Sequence, residues 1–426
     1  MNILIVGAGG REHTLAWKLK QSPLCDSLFI APGNAGTSLC GTNLEIGVTD
    51  FPELAAACLQ YKVDLLLVGP EEPLVKGICD FFKNDPATGH IHIIGPSAEA
   101  SQLEGSKAYA KAFMERNHIP TAAYREFTAE NFDEGLNYIQ QHSLPIVLKA
   151  DGLAAGKGVL ICQSHIEASA EFELMIHMKK FGDAGTKVVV EEFLKGIEMS
   201  VFALTDGKNY VLLPEAKDYK RVGEGDTGLN TGGMGAVSPL PFFDKTLREK
   251  IVSRIVEPTV LGLQKENLDY KGFIFFGLMI DNTEPMVIEY NCRMGDPETE
   301  VVVCRLKNDL AALLLATAEQ KLGDIEIQTD ERSVVTMVAV SGGYPGDYEK
   351  ELLIEGLGTH ETEDSIVFHS GTKQNGDKVV TNGGRVLAVT SFGKDINEAA
   401  LKSKELMRNI HFEGINYRRD IGYEFF

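Results

Sequence analysis

The chain has no C-x-x-C pair, and its seven cysteines (Cys25, Cys40, Cys58, Cys79, Cys162, Cys292 and Cys304) are scattered and odd in number. That excludes a zinc framework built on paired thiolates and favours reduced thiols in a cytoplasmic setting. Its ten histidines show no H-x-x-x-H spacing, which would place two imidazoles on one helical face. Long apolar runs are also missing. LAALLLATA at 310–318 is too short to span a bilayer and reads as core. The opening MNILIVGAGG has no basic leader and reads as a strand, not a signal peptide. Positive charge is scarce: 41 Lys and Arg against 61 Asp and Glu leave a net −20. A field of that sign repels nucleic acid and anionic membranes. It leaves small anionic substrates open, because local cations dominate within about 8–10 Å at physiological salt. No repeat, heptad or low-complexity tract appears.

What is present is ordinary globular material, 44% hydrophobic and 24% charged, with 43 glycines marking many tight turns. At 426 residues the chain is too long for one core and suggests about three domains. In the first hundred residues, ILIV (3–6), SLFIA (27–31), VDLLLVG (63–69) and IHIIG (91–95) alternate with amphipathic stretches. That pattern predicts a parallel sheet covered on both faces. Beyond EGSKA (104–108) the spacing predicts a helix to about 117, a helix near 130–141, the strand PIVLKA (145–150), the strand GVLIC (158–162), a helix near 164–177 and the strand KVVVEEFLKG (187–196). Residues 214–241 are glycine-rich and charged with little apolar periodicity, and predict a long functional or disordered loop, such as a lid over a charged substrate. A helix over 244–263 is expected to kink at Pro258. The strands FIFFGLMI (273–280) and MVIEYN (286–291) follow, and a last block from about 328 opens with SVVTMVAV (333–340) and ends with a helix near 395–408.

Several loops invite phosphate chemistry. KADGLAAGKG (149–158) comes close to a Walker loop but is one residue too short, and Gly158 stands where the Mg²⁺-binding hydroxyl belongs. GAGGREH (7–13) comes close to a dinucleotide fingerprint, but Glu12 stands where the third glycine belongs. Such a strand-to-helix turn still aims N–H groups at a ligand. APGNAGT (31–37) and VGPEEPL (68–74) also follow predicted strands, so the three loops could converge on one pocket outside the strands' carboxyl ends. Most informative is VIEYNCRMGDPETE (287–300). Period-two alternation puts Glu289, Asn291 and Arg293 on one side and sends Ile288 and Tyr290 into the core. A carboxylate and an amide oxygen suit Mg²⁺ carrying nucleotide phosphates, and a planar guanidinium suits a carboxylate or a transferring phosphoryl group.

Taken in order, GGREH, PGNAGT, GPEEPLVKG, LEGSKA, KADGLAAGKGV, EEFLKGIEMS, NTGGMGA, EYNCRMGDPETE and TNGGRVL resemble the glycinamide ribonucleotide synthetase (phosphoribosylamine–glycine ligase) family of ATP-grasp enzymes, over essentially the whole chain. The resemblance implies an α/β and α+β multidomain protein. Its parts would be an amino-terminal open parallel sheet (preATP-grasp, Rossmann-like; 1–103), a central ATP-grasp domain (104–327) with an inserted lid at about 124–189, and a carboxy-terminal α+β domain (328–426). It implies ATP bound by Lys107, Lys149, Gly156, Lys157 and Gly158, with the backbone of Glu191 and Leu194 on adenine and Glu198 on ribose. Residues 152–158 would then form a flap over the phosphates. Glu289 and Asn291 would hold Mg²⁺ or Mn²⁺. Arg293 would take glycine's carboxylate or its phosphorylated form, with Lys220 and Arg221 as further catalytic groups, and Gly10, Asn34, Gly36 and Glu71 would form the phosphoribosylamine pocket.

The implied partners are glycine, phosphoribosylamine and ATP, with no nucleic acid or membrane, and brief contact with neighbouring purine-pathway enzymes is compatible with so labile an amine. Lys217-Asp218-Tyr219-Lys220-Arg221 stands where the family commonly has Gln-Asp-His-Lys-Arg, which bears on any histidine role at position 219. Met294 replaces the usual Phe or Leu. The rival readings are another ATP-grasp carboxylate–amine ligase, a nicotinamide-dependent oxidoreductase, which lacks the third glycine, and a non-catalytic nucleotide sensor, which would not need Glu289, Asn291 and Arg293 together.

Overall fold

A computed structural model describes residues 1–153 and 158–426. The amino-terminal block is built on β1 (Asn2–Gly7), β2 (Ser27–Pro32), β3 (Thr42–Asn43), β4 (Leu65–Val68) and β5 (His92–Pro96). They pair in parallel in the order β3-β2-β1-β4-β5. Ile3, Leu4, Ile5 and Val6 are all fully buried, as expected of a strand covered on both faces. The chain reverses direction across the sheet between β1 and β4, so the loops after β1, β2 and β4 meet at the carboxyl edge. The N–H of Gly33 donates to Gly7 O at 3.1 Å, that of Gly69 to Val6 O at 3.0 Å, and the Asn34 amide to Ala8 O at 2.9 Å.

A second sheet, antiparallel, comprises β6 (Tyr124–Thr128), β7 (Ile146–Ala150), β8 (Val159–Cys162) and β9 (Lys187–Glu192) in the order β6-β9-β7-β8. The helices Phe132–Gln141 and His165–Ile176 close over it, burying Phe127, Ile139, Leu148, Phe172 and Val190 in a core of its own. The chain then returns to the first sheet. β10 (Ile197–Thr205), with β11 (Tyr210–Leu212) at its edge, pairs antiparallel with a later long strand, Tyr270–Asp281. The start of that strand pairs with β5 through Tyr270↔Pro96 and Lys271↔Gly95. Nine strands thus form one continuous sheet, and it extends past the amino-terminal block.

The segment expected as a loop, 214–241, is ordered. It holds β12 (Lys217–Asp218), the hairpin β13 (Arg221–Gly223) and β14 (Thr227–Asn230), and the fully buried β15 (Gly235–Ser238). Only β14 is exposed along its length. The strands expected at 273–280 and 286–291 are β16 (Tyr270–Asp281) and β17 (Glu284–Asn291). In the last block, β18 (Ser333–Val340) lies between β15 and Arg385–Gly393, and helix Ile396–Met407 packs on that sheet. β15 was not legible as a strand because GAVS offers too few residues to show a period. The helix before β16 runs from Lys245 to Lys265 and carries a wide π turn at Val252–Val256, between Lys245–Ile251 and Glu257–Lys265. The extra residue in that turn accommodates Pro258, which has no N–H to give the ladder.

Candidate functional site

Three basic groups gather where the four-stranded sheet meets the nine-stranded one. Helix Lys107–Arg116 starts at Ser106, whose hydroxyl accepts the Tyr109 N–H at 3.1 Å. Asp151, just past β7, caps the same helix end: its carboxylate accepts the Ala108 N–H at 2.7 Å and the Ser106 hydroxyl at 3.0 Å. Its carbonyl accepts the Lys107 N–H at 3.1 Å. The glycine loop's entry is therefore stitched to the residue that presents Lys107. Burial lowers the Lys107 ammonium from its ordinary value, against the pull of Glu289.

Lys149 closes β7 and is 4% exposed. Its ammonium lies 2.9 Å from Glu191 Oε2 and donates to Ile288 O at 3.2 Å. Lys111 reaches the same Glu191 oxygen at 3.2 Å, and burial pushes it down to about 8 despite that carboxylate. Glu191 Oε1 is buried without a hydrogen bond. Lys111 was not foreseen, because the second lysine of KAYAKAFMER looks like any solvated helical lysine. Of the remaining nucleotide residues, Leu194 lies half-buried between β9 and β10, and Gly158 is buried, its carbonyl accepting the Ala150 N–H at 2.8 Å. Gly156 and Lys157 lie outside the described residues.

β17 carries the acidic side of the site. Glu289 and Asn291 face Gly277 and Phe275 of β16 and share one side of the strand. The inward pair is Val287 and Tyr290, both buried, whereas Ile288 is half-buried and not in the core as expected. A register shift is the reason: Leu278 pairs with Val287 and Gly277 with Glu289, which leaves Ile288 as the extra residue of a bulge. The Tyr290 hydroxyl lies 2.9 Å from that of Thr259, on the side away from the acidic groups.

Asn291 Oδ1 is buried with no hydrogen-bond partner. An orphan amide oxygen one strand period from a carboxylate suits a hard divalent cation that keeps waters and phosphate oxygens as its other ligands. Among the described residues no group of three or more His, Cys, Asp or Glu is placed to hold a metal.

Lys220 bridges Glu198 Oε1 at 2.5 Å and Asp218 at 3.3 Å. Burial alone would raise Glu198 and lower Lys220; Lys220 outweighs it at Glu198, and Asp218 followed by Glu198 outweighs it at Lys220, so both are held in their charged forms. Glu298, 4% exposed and beside Asp218, is pushed up to about 7 by burial. Arg221 points along the exposed hairpin and donates to Gly228 O at 2.8 Å. Tyr219, at the position where the resemblance put histidine, is 1% exposed, bonds Glu424 at 2.8 Å and lies under Lys217 at 4.0 Å. Position 219 is a packing position here.

Arg293 lies in the turn after β17, its Nη2 2.6 Å from Glu104 and its Nε 3.4 Å from Glu71. Burial would raise Glu71, but Arg293 and Arg11 outweigh it and hold the carboxyl below its usual range. Arg11 ties the amino-terminal helix to this turn by donating to Met294 O at 3.1 Å. The helix N-terminus expected to receive a phosphate is taken by the chain itself. Glu12 Oε2 accepts the Gly9 N–H at 2.6 Å and Oε1 pairs with Arg11 at 2.6 Å. Glu12 also fills the space over Gly7 and Gly69, where an added Cβ would meet it at 2.5 and 2.0 Å. That removes the room a dinucleotide would need.

The expected pocket residues sit close by but are engaged. Asn34 spends its amide on Ala8 O and His369 O and its oxygen on the Gly36 and Thr37 N–H groups. Gly36 lies against His13, and Gly10 against Glu300 and Ser370. Of the four, Glu71 keeps a partly exposed carboxylate, at 34%.

Comparison with known proteins matches the chain to three consecutive models of phosphoribosylglycinamide synthetase: the N domain over residues 1–104, the ATP-grasp (A) domain over 105–299 and the C domain over 334–424. It is 48% identical over 426 residues to a phosphoribosylamine–glycine ligase of Vibrio cholerae and 49% over 427 residues to one of Escherichia coli O157:H7, covering 99% of this chain and 98% of each relative. A crystal structure of the Thermotoga maritima phosphoribosylamine–glycine ligase superposes with a TM-score of 0.84 at 35% identity, over 99% of this chain and 100% of that one. The biotin carboxylase domain of Hydrogenobacter thermophilus 2-oxoglutarate carboxylase, solved with MgADP and bicarbonate, shares the fold, with a TM-score of 0.74 at 14% identity over 97% of this chain and 91% of that one.

Proposed function

The chain belongs to the phosphoribosylglycinamide synthetase family, and from that premise we propose how its residues divide the ATP-dependent joining of glycine to phosphoribosylamine. The products are glycinamide ribonucleotide, ADP and phosphate, in purine biosynthesis. A free carboxylate is a poor acyl donor because its leaving group would be oxide. The γ-phosphoryl of ATP passes to a glycine carboxylate oxygen, giving glycyl phosphate and ADP. The amine of phosphoribosylamine then attacks the carbonyl carbon, the C–O bond to phosphate breaks, and the amine gives up a proton.

Lys107 and Lys149 neutralise the triphosphate, and the backbone of Glu191 and Leu194 with Glu198 receives the nucleoside. Glu198 must exchange its bond to Lys220 for a ribose hydroxyl, which leaves Lys220 free to meet phosphate. Arg221 supplies further positive charge from the hairpin. Glu289 and Asn291 are the groups for Mg²⁺ or Mn²⁺, which would draw charge from the phosphates when bound. Arg293 holds the glycine carboxylate, and the carboxyl-edge loops of Gly10, Asn34, Gly36 and Glu71 form the side from which the amine enters, the glycines and Asn34 shaping the wall. Work of this kind is positioning and charge neutralisation. The seven unpaired cysteines support a cytoplasmic setting. The lability of the amine substrate supports brief contact with the enzyme that makes it.

The observation that carries this division is the buried, unpartnered Asn291 oxygen beside Glu289, with Lys107 and Lys220 within electrostatic reach of that carboxylate. ADP release over many turnovers is expected only when glycine and freshly generated phosphoribosylamine are both present. Equal release with either omitted would contradict it.

A further inference from the structure

We propose that Glu104 is a positioning residue for this reaction: its carboxylate clamps the Cys292–Arg293 turn and presets the guanidinium that receives the glycine carboxylate. The inference rests on the reading of Arg293 given above. The Glu104 side chain is 7% exposed, and both of its oxygens are spent on consecutive residues of another element. Oε2 accepts the Cys292 N–H at 2.7 Å and Oε1 pairs with Arg293 Nη2 at 2.6 Å. The first contact fixes the backbone immediately after the cation ligand Asn291, and the second fixes the guanidinium.

The rest of Arg293 is held loosely. Nη1 donates to Met294 O at 3.2 Å, and Nε is buried without a hydrogen bond, 3.4 Å from the half-buried Glu71. A substrate carboxylate therefore competes with Glu71 and not with Glu104. Glu104 also lies in the short helix Gln102–Gly105, with Ser106 and Lys107 directly after it. One rigid stretch of chain thus sets both the carboxylate-binding Arg293 and the phosphate-binding Lys107. Phosphoryl transfer between their ligands requires reacting atoms within about 3–3.5 Å.

Glu104→Gln tests this in the full-length protein. The amide can still accept the Cys292 N–H, but it loses the charged contact to Nη2. Removing such a supporting group is expected to raise KM for glycine about 10- to 100-fold while KM for ATP stays within about twofold. Arg293→Lys should raise the glycine KM on its own, and the double variant should be little worse than Arg293→Lys if Glu104 acts through the guanidinium. An unchanged glycine KM in Glu104→Gln, or effects that multiply in full, would overturn the proposal and leave the Arg293 reading standing. An unchanged glycine KM in Arg293→Lys would overturn that reading itself, and the positioning role with it. Loss of MgADP binding by Glu104→Gln, measured calorimetrically, would make Glu104 a structural prop and end the proposal.

Discussion

Glu289 and Glu300 stand eleven positions apart and face opposite electrostatic demands. Glu289 has Lys107 and Lys220 within electrostatic reach and is the carboxylate proposed for the cation. Glu289→Gln keeps the shape and removes the charge, so the Mg²⁺ concentration for half-maximal turnover should rise about 10- to 100-fold; an unchanged titration would remove Glu289 as a ligand. Glu300 is fully buried with neither oxygen hydrogen-bonded, and burial, reinforced by Asp296, raises its pKa well above 4.5. The native state therefore holds this proton more tightly than the unfolded chain. The stability it confers is complete below about 4.5 and falls as pH rises toward the native value, by up to about 1.4 kcal/mol per pH unit. Glu300→Gln should flatten the decline in melting temperature between about pH 5 and about pH 8. Parallel profiles for variant and parent would contradict it. Period-two alternation was enough to place Glu289 and Asn291 on one face from sequence. Glu104, Lys111 and Arg11 were not legible, because their roles arise from burial against residues far away in the chain, and Ile288 was misplaced because a bulge breaks the alternation.

At the scale of the elements, the turn after β1 works because glycines leave room for Glu12. An added methyl at Gly69 would meet Glu12 Oε1 at 2.0 Å and Cδ at 2.7 Å. Gly69→Ala is therefore expected to cost about 1–3 kcal/mol, the usual penalty of overpacking a tight site. It should also loosen the Glu12 bond to the Gly9 N–H. Thermal unfolding of variant and parent checks this, and equal midpoints would show that Glu12 can move aside at little cost. Four amino-terminal strands were legible because continuous runs such as ILIV and LLLV signal burial on both faces. β15 was not, since the strand that pairs with all four of its residues, β18, comes about a hundred positions later. The dinucleotide-like turn was legible as a turn, but its occupant was not: only the folded chain reveals that Glu12 supplies the anion itself.

Across the whole molecule, the amino-terminal and last blocks meet at two buried histidines. His13 Nδ1 accepts the His369 N–H at 2.8 Å, and the His13 ring packs on Phe368 at 5.5 Å between centroids. Burial lowers His13 to about 3 and His369 to about 4. The native state thus refuses protons that the unfolded chain takes up below about 6.5. This contact contributes its full stability above that value and loses it as pH falls toward the native values. His13→Gln, which can still accept the His369 N–H, should lose less melting temperature than the parent between about pH 7 and about pH 5; an identical loss would place the acid sensitivity elsewhere. The three-block order was legible from motifs spread along the chain, whereas this contact depends on residues 356 positions apart. In the proposed reaction a glycine oxygen accepts the phosphoryl group and later leaves with it. The most direct measurement is turnover with glycine labelled with ¹⁸O in its carboxylate. The account predicts inorganic phosphate carrying one labelled oxygen for each amide bond formed, and unlabelled phosphate would contradict it.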